Sequence, residues 1–167
     1  NRFIELGCPP EKLTVWHIGI DIEKFSYRER EIGETTKYLC VARFIEKKGY
    51  PTLLKGFAKV ARQRSDVTLT IIGYGPLKGE IEQQIRDLAI EPVVKLIDTL
   101  EFPSSEFDRI FLDALYNSDI FVHPSTVAKS GDEEGGPALV INYASSTGLP
   151  IVATTVPGIP ETVCDGE

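Results

Sequence analysis

Two groups of side chains in this 167-residue chain could do chemistry on a charged ligand. The first is Asp132-Glu133-Glu134, followed by Gly135, Gly136 and Pro137. Carboxylates accept hydrogen bonds from hydroxyl groups, and glycines let a ligand approach the backbone closely. Pro137 suits the first position of a helix, because its fixed φ fits and its missing N–H is not needed there. That helix would lead through Ala138, Leu139, Val140 and Ile141 and stop near Thr147-Gly148. Open N–H groups at a helix start favour an anion, typically a phosphate. The second group is Arg43 with Lys48, five residues apart. An arginine fork and a lysine point charge at one sheet edge can hold a diphosphate, although solvated surface cations give the same pattern.

Other motifs carry less. Gly73-Tyr74-Gly75-Pro76-Leu77-Lys78-Gly79 resembles a dinucleotide turn, but the third glycine comes one place late and no acid closes the strand Val93 to Ile97. A tight strand-to-helix turn explains those glycines better than NAD does. No G-x-x-x-x-G-K-[ST] occurs, which excludes a P-loop. The three acids of the 132–134 loop have no histidine or further carboxylate at ligand spacing, so no metal site is expected. His17 stands apart from any second histidine or cysteine and reads as structural. Cys8, Cys40 and Cys164 are odd in number and scattered, which fits neither zinc nor a disulfide framework but does fit a reducing compartment. Cys40, within an apolar run, is expected to be buried and inert.

The elements that must position these residues alternate. Strands are predicted at Leu13–Ile18, Tyr38–Ala42, Val67–Ile72, Val93–Ile97, Asp119–His123 and Leu149–Thr154. A helix is expected to end at Gly7, and others over Tyr50–Arg64, behind Leu77, Ile81, Ile85 and Leu88, and behind Phe107, Ile110, Phe111, Ala114 and Leu115. Arg28–Lys37 reads as a surface loop, and Pro157-Gly158-Ile159-Pro160-Glu161 as the start of one more short helix. This order implies βαβ units and an α/β, doubly wound parallel sheet in three layers, one domain over residues 1–167. In such a sheet ligands sit where a strand's carboxyl end faces a helix start.

The net charge of −7 argues against a nucleic-acid partner. Basic residues nevertheless cluster between Arg43 and Arg64, where Glu46 is the single acid, and a local basic patch suits a small anionic ligand. Lys55, Lys59 and Arg62 within it read as the solvated face of a helix. No apolar run approaches a membrane span and no signal-peptide pattern is present. The chain begins with Asn1 and contains no Met, which predicts a piece of a longer protein.

Taken in order, these motifs resemble the C-terminal half of family-four retaining glycosyltransferases of the GT-B fold, in particular bacterial enzymes of exopolysaccharide (colanic-acid-type) biosynthesis. The likeness runs from Gly19-Ile20-Asp21 with Phe25, through Val41-Ala42-Arg43 with Lys48-Gly49 and Ile72-Gly73-Tyr74-Gly75-Pro76. It continues over Pro124-Ser125, Gly131 to Pro137, Gly148 to Thr154 and Gly158-Ile159-Pro160-Glu161. The resemblance implies a Rossmann-like domain that binds a nucleoside-diphosphate-sugar donor. Arg43 and Lys48 would hold the pyrophosphate, and Glu134 would contact a donor-sugar hydroxyl. Gly135, Gly136, Pro137, Ala138 and Leu139 would face sugar and phosphate, with Gly73 near the ribose and Leu96, Ile97 and Asp98 near the base. It also implies no metal or other cofactor, and a saccharide or lipid-linked acceptor bound through an N-terminal domain not present in this sequence. A cytoplasmic location is implied, with peripheral attachment at the inner membrane face as an option for the longer protein. Two positions depart from the family pattern. Asn142 stands where a second Glu accepts ribose hydroxyls, and Asp98 stands where a glycine follows the fourth strand. Asn142 motivates an alternative reading, a non-catalytic nucleotide-sugar-binding module.

Overall fold

A computed structural model describes residues 2–31, 33–99, 105–134, 136 and 138–166. Its centre is a five-stranded, wholly parallel sheet: β1 (Thr36–Val41), β2 (Val67–Gly73), β3 (Val94–Asp98), β4 (Ile120–His123) and β5 (Ile151–Ala153). The strands lie in the order β3-β2-β1-β4-β5. Helices α2 (Tyr50–Gln63) and α3 (Lys78–Asp87) connect the strands of one half, and α4 (Ser105–Tyr116) and α5 (Leu139–Ser146) serve the other. A four-residue helix, α1 (Arg2–Glu5), precedes them and ends at Gly7, whose φ of +91° makes it a left-handed stop.

Each strand sends alternate side chains to opposite faces, so the sheet separates two apolar layers. Leu39, Val41, Ile72 and Phe121 pack with Phe111, Leu115, Ile141 and Ala144 of α4 and α5. Cys40, Leu69 and Ile71 pack on the other face with Leu53, Leu54 and Phe57 of α2 and Ile81 and Ile85 of α3. The helices bury their stripes here because residues three and four apart share one face. Lys55, Lys59 and Arg62 lie on the exposed face of α2, as the solvated-face reading expects. Cys40 is fully buried, and loss of solvation pushes its thiol pKa up to about 12, which makes it a poor nucleophile.

Three expectations are corrected. Leu13–Ile18 does not join the sheet: it has no strand partner among the described residues, and Val15, Trp16 and Ile18 are exposed, Trp16 by 88%. A strand pattern specifies a pleated surface, not the neighbour that would complete it. The sheet therefore begins at β1, and the Gly73 turn follows the second strand rather than the third. Pro157 to Glu161 forms turns rather than a helix, with Thr162 and Val163 N–H groups both bonding the Ile159 carbonyl. The helix expected to begin at Pro137 begins at Leu139, with Ala138 in an extended conformation before it. Pro137 itself, like Gly135, lies outside the described residues.

The 28–37 segment is also more than a surface loop. Thr36 and Lys37 belong to β1, and Arg30 is partly buried with donors directed at the carbonyls of Ser118 (2.7 Å) and Thr147 (3.0 Å). Those carbonyls follow α4 and α5, so one guanidinium meets the negative ends of two helix dipoles.

Candidate functional site

The strand order reverses direction between β1 and β4, and α2 and α5 leave the sheet there on opposite faces. A crevice forms at the carboxyl edge of such a switch point. Here it is a cavity of about 530 Å³ beyond the ends of β1 and β2, reached from Val41, Ala42, Ile72, Gly73 and Tyr74. Arg43, Lys47, Lys48 and Glu134 supply its charge, and Ala138, Leu139, Val140, Phe111 and Tyr143 its remaining wall.

The cationic side arises from the β1–α2 connection. After Arg43, a 3-10 turn (Glu46–Lys48) leads to Gly49, in the left-handed region at φ +66°. A Cβ at Gly49 would lie 1.8 Å from the Pro124 carbonyl oxygen, so only glycine lets this turn sit against the end of β4. Arg43 is exposed and makes no ion pair with a described residue. In a dinucleotide fold the first strand-to-helix turn holds the glycine fingerprint; here that turn holds two lysines and an arginine, which disposes of the NAD reading.

The acidic loop contributes through one residue above all. Glu134 is buried, and its Oε1 receives Lys48 Nζ at 2.5 Å and Ser125 Oγ at 2.6 Å. The pair is largely withdrawn from water, with 13% of the Lys48 side chain and 9% of the Glu134 side chain exposed. Ser125 has one proton and gives it to Glu134, so its oxygen must accept from His123 Nε2, 3.0 Å away. That puts a hydrogen on Nε2 of His123, itself buried, and its Nδ1 has no hydrogen-bond partner among the described residues. Burial pushes the Glu134 carboxyl pKa upward, but the nearby His123 Nε2 edge, 3.6 Å away, and the hydrogen bonds from Lys48 and Ser125 outweigh it and hold the carboxyl well below the usual range. Glu134 is thus an ionised acceptor with Oε2 uncommitted to any described residue. The serine, histidine and glutamate do not form a hydrolytic relay, because Ser125 is buried and its hydrogen goes to the acid.

The three acids of the loop do not converge on one point. Asp132 Oδ1 and the Glu133 carbonyl both accept from Lys47 Nζ at 3.0 Å, while Glu134 turns inward. The helix α5 starts with no side chain of a described residue capping its first amides and no acid in its first turn. Its dipole therefore adds partial positive charge to the wall built by Ala138, Leu139 and Val140.

Of the residues singled out in the sequence, Arg43, Lys48, Gly73, Glu134, Ala138 and Leu139 border the cavity. Leu96, Ile97, Asp98, Gly136 and Asn142 do not. Asp98 ends β3 and its carboxylate binds Lys78 Nζ at 2.7 Å, tying that strand to the start of α3. Gly136 packs under Gly158, where φ is +91° and an added Cβ would come within 2.4 Å of Gly136 carbonyl carbon. Beside Asn142, it is Tyr143 that borders the cavity, its ring packed against Phe25 at 4.2 Å and Phe111 at 5.8 Å. Sequence reasoning missed Lys47, Tyr143, Ser125 and His123 as parts of the site. The doubled lysine of Lys47-Lys48 was the one available signal.

A Rossmann-like domain with cations, a buried acid and a helix start at its switch point has the architecture of a sugar-transfer domain. Residues 21–167 match the family "Glycosyl transferases group 1", and the chain belongs to it. It is 36% identical over 98% of its length to the amylovoran biosynthesis glycosyltransferase AmsK of Erwinia amylovora. It is 32% identical over its full length to the putative colanic acid biosynthesis glycosyltransferase WcaL of Salmonella typhimurium. The chain spans 39% and 40% of those two relatives. Its fold matches Anabaena HepE, solved in complex with UDP and glucose, with a TM-score of 0.73 at 21% identity, covering 98% of this chain and 44% of that one. No helix among the described residues is long and apolar enough to cross a membrane.

Proposed function

We propose that this chain is the donor-binding domain of a retaining glycosyltransferase that takes its sugar from a nucleoside-diphosphate sugar and delivers it to a polysaccharide or glycolipid acceptor. The observation that carries the reading is the convergence of Arg43, Lys48, Glu134 and the uncapped start of α5 on one cavity. In the transfer, the bond from the anomeric carbon to the β-phosphate oxygen breaks and its electron pair leaves with the diphosphate, while an acceptor hydroxyl oxygen bonds to that carbon and its proton passes to the departing diphosphate. Arg43 and Lys48 meet that growing charge, an effect that is strongest where water is excluded. Glu134 offers Oε2 to a sugar hydroxyl and so orients the ring over the phosphates. The two cations and the helix amides take the charge-neutralising part that a metal plays in other diphosphate sites, so metal-independent donor binding is part of this proposal. The acceptor would be bound outside these residues, by a further domain. Peripheral membrane attachment and a cytoplasmic location belong to the same proposal.

Two relatives with named exopolysaccharide roles support this reading, and HepE, solved with UDP and glucose, supports a uridine or similar nucleotide as the kind of ligand. The alternative, a non-catalytic nucleotide-sugar-binding module, rests on Asn142. That side chain does not border the cavity, so its missing charge weighs less than the sequence alone suggests. Calorimetry with UDP, GDP and ADP tests the donor site. The wild type should bind at least one of them, and Arg43→Ala/Lys48→Ala should lose at least about tenfold in affinity, the loss expected when charge-assisted bonds to phosphate are removed. Equal binding by the double variant would remove both residues from the role.

A further inference from the structure

Lys47 is one of the residues of this site that the sequence reading left without a role. Its side chain is only 16% exposed, although it carries a charge and stands at the rim of the cavity. Two of its three N–H donors are spent on the acidic loop, one on Asp132 Oδ1 and one on the Glu133 carbonyl, each at 3.0 Å. Its own carbonyl accepts the Thr126 N–H at 2.8 Å, and the carboxylate of neighbouring Glu46 accepts the Lys129 N–H at 3.1 Å. The turn before α2 thus grips the 126–134 loop at both ends. Lys47 holds the main chain of Glu133, while Lys48 holds the side chain of Glu134.

We propose that Lys47 is a positioning residue that clamps the acidic loop onto the turn before α2, holding Glu134 where it favours a sugar-bearing diphosphate over the bare diphosphate. This rests on the reading that Glu134 meets the donor sugar. A carboxylate that must reach a particular hydroxyl has to be placed within a fraction of an ångström, and a loop supplies that precision only when another element fastens it. With Lys47 removed, the Glu133 carbonyl and Asp132 lose their donor, and Glu134 has only its side-chain contacts to place it.

The test is calorimetry on the 167-residue chain with UDP, UDP-glucose, GDP and GDP-mannose, using the base that the wild type binds. The readout is the ratio of sugar-nucleotide affinity to free-nucleotide affinity. Lys47→Met and Asp132→Ala should each lower that ratio about fivefold, the size of one lost hydrogen bond, toward the value for Glu134→Gln. They should do so although one deletes a positive charge and the other a negative one. A lysine that merely gripped phosphate would weaken both ligands alike and leave the ratio unchanged, and that result overturns the proposal. So does a ratio lowered in Lys47→Met but not in Asp132→Ala. Hydrogen exchange on the ligand-free protein gives a second reading: amides in 126–134 should exchange faster in Lys47→Met while β1 stays protected, and unchanged exchange in the loop also overturns the clamp. If the wild type binds none of the four nucleotides, the donor-site reading falls, whereas the exchange result still decides whether Lys47 fastens the loop.

Discussion

Lys48 Nζ and Glu134 Oε1 lie 2.5 Å apart although 86 residues separate them in the chain. The cation proposed to hold phosphate is therefore already neutralised by an acid before any ligand arrives. A diphosphate entering the cavity has to share Lys48 with that carboxylate, and the two negative charges repel.

This arrangement predicts an effect of unusual sign. Glu134→Gln should tighten binding of free UDP or GDP, because the competing charge is gone while a neutral acceptor remains for Lys48 and Ser125. At the spacing of neighbouring groups in a partly hydrated site the repulsion is worth about 1 kcal/mol, or about fivefold in affinity. The same variant should lose preference for the sugar-bearing form. Calorimetry reads both, and weaker binding of the free nucleotide by Glu134→Gln would separate Lys48 from the phosphate.

The pH dependence of stability follows from the same carboxylate. Its folded pKa lies below its ordinary value of 4.5, so the folded state binds this proton less readily than the unfolded state. The stabilisation is fully present above about pH 4.5 and is lost as the pH falls below that value toward the depressed folded pKa. Urea midpoints of wild type and Glu134→Gln should differ by a constant amount from pH 8 to about pH 5, and the difference should shrink steadily from there to about pH 3. A difference that grows on acidification would contradict the assigned ion pair.

Gly49 sets where both lysines stand. Gly49→Ala forces a Cβ into the Pro124 carbonyl at a φ that alanine rarely adopts. We expect a loss of roughly 1–3 kcal/mol in urea unfolding, typical of a strained backbone position. Nucleotide affinity should fall with it, since the turn carrying Lys47 and Lys48 must move away from the end of β4. Unchanged affinity in a destabilised variant would show that the turn tolerates displacement without disturbing the grip.

The sequence by itself determined the alternation of elements. The apolar runs at Tyr38–Ala42, Val67–Ile72 and Asp119–His123 became β1, β2 and β4, and the stripes Leu53, Leu54 and Phe57 or Ile81 and Ile85 became the buried faces of α2 and α3. Periodicity is a local property, so it is readable without the partner it will bury against. It also made Arg43, Lys48 and Glu134 candidates, because their types at those spacings point to phosphate and hydroxyl chemistry. What the tertiary structure alone decided is which residues meet. It left Leu13–Ile18 without a strand partner among the described residues, directed Arg30 to carbonyls 88 and 117 residues away, and turned Tyr143 rather than Asn142 to the cavity. It also assembled Lys48, Ser125 and His123 around one carboxylate and set Lys47 on the loop beside it. Such contacts depend on how the sheet closes on itself at the β1–β4 switch point, and no window of neighbouring residues contains that information.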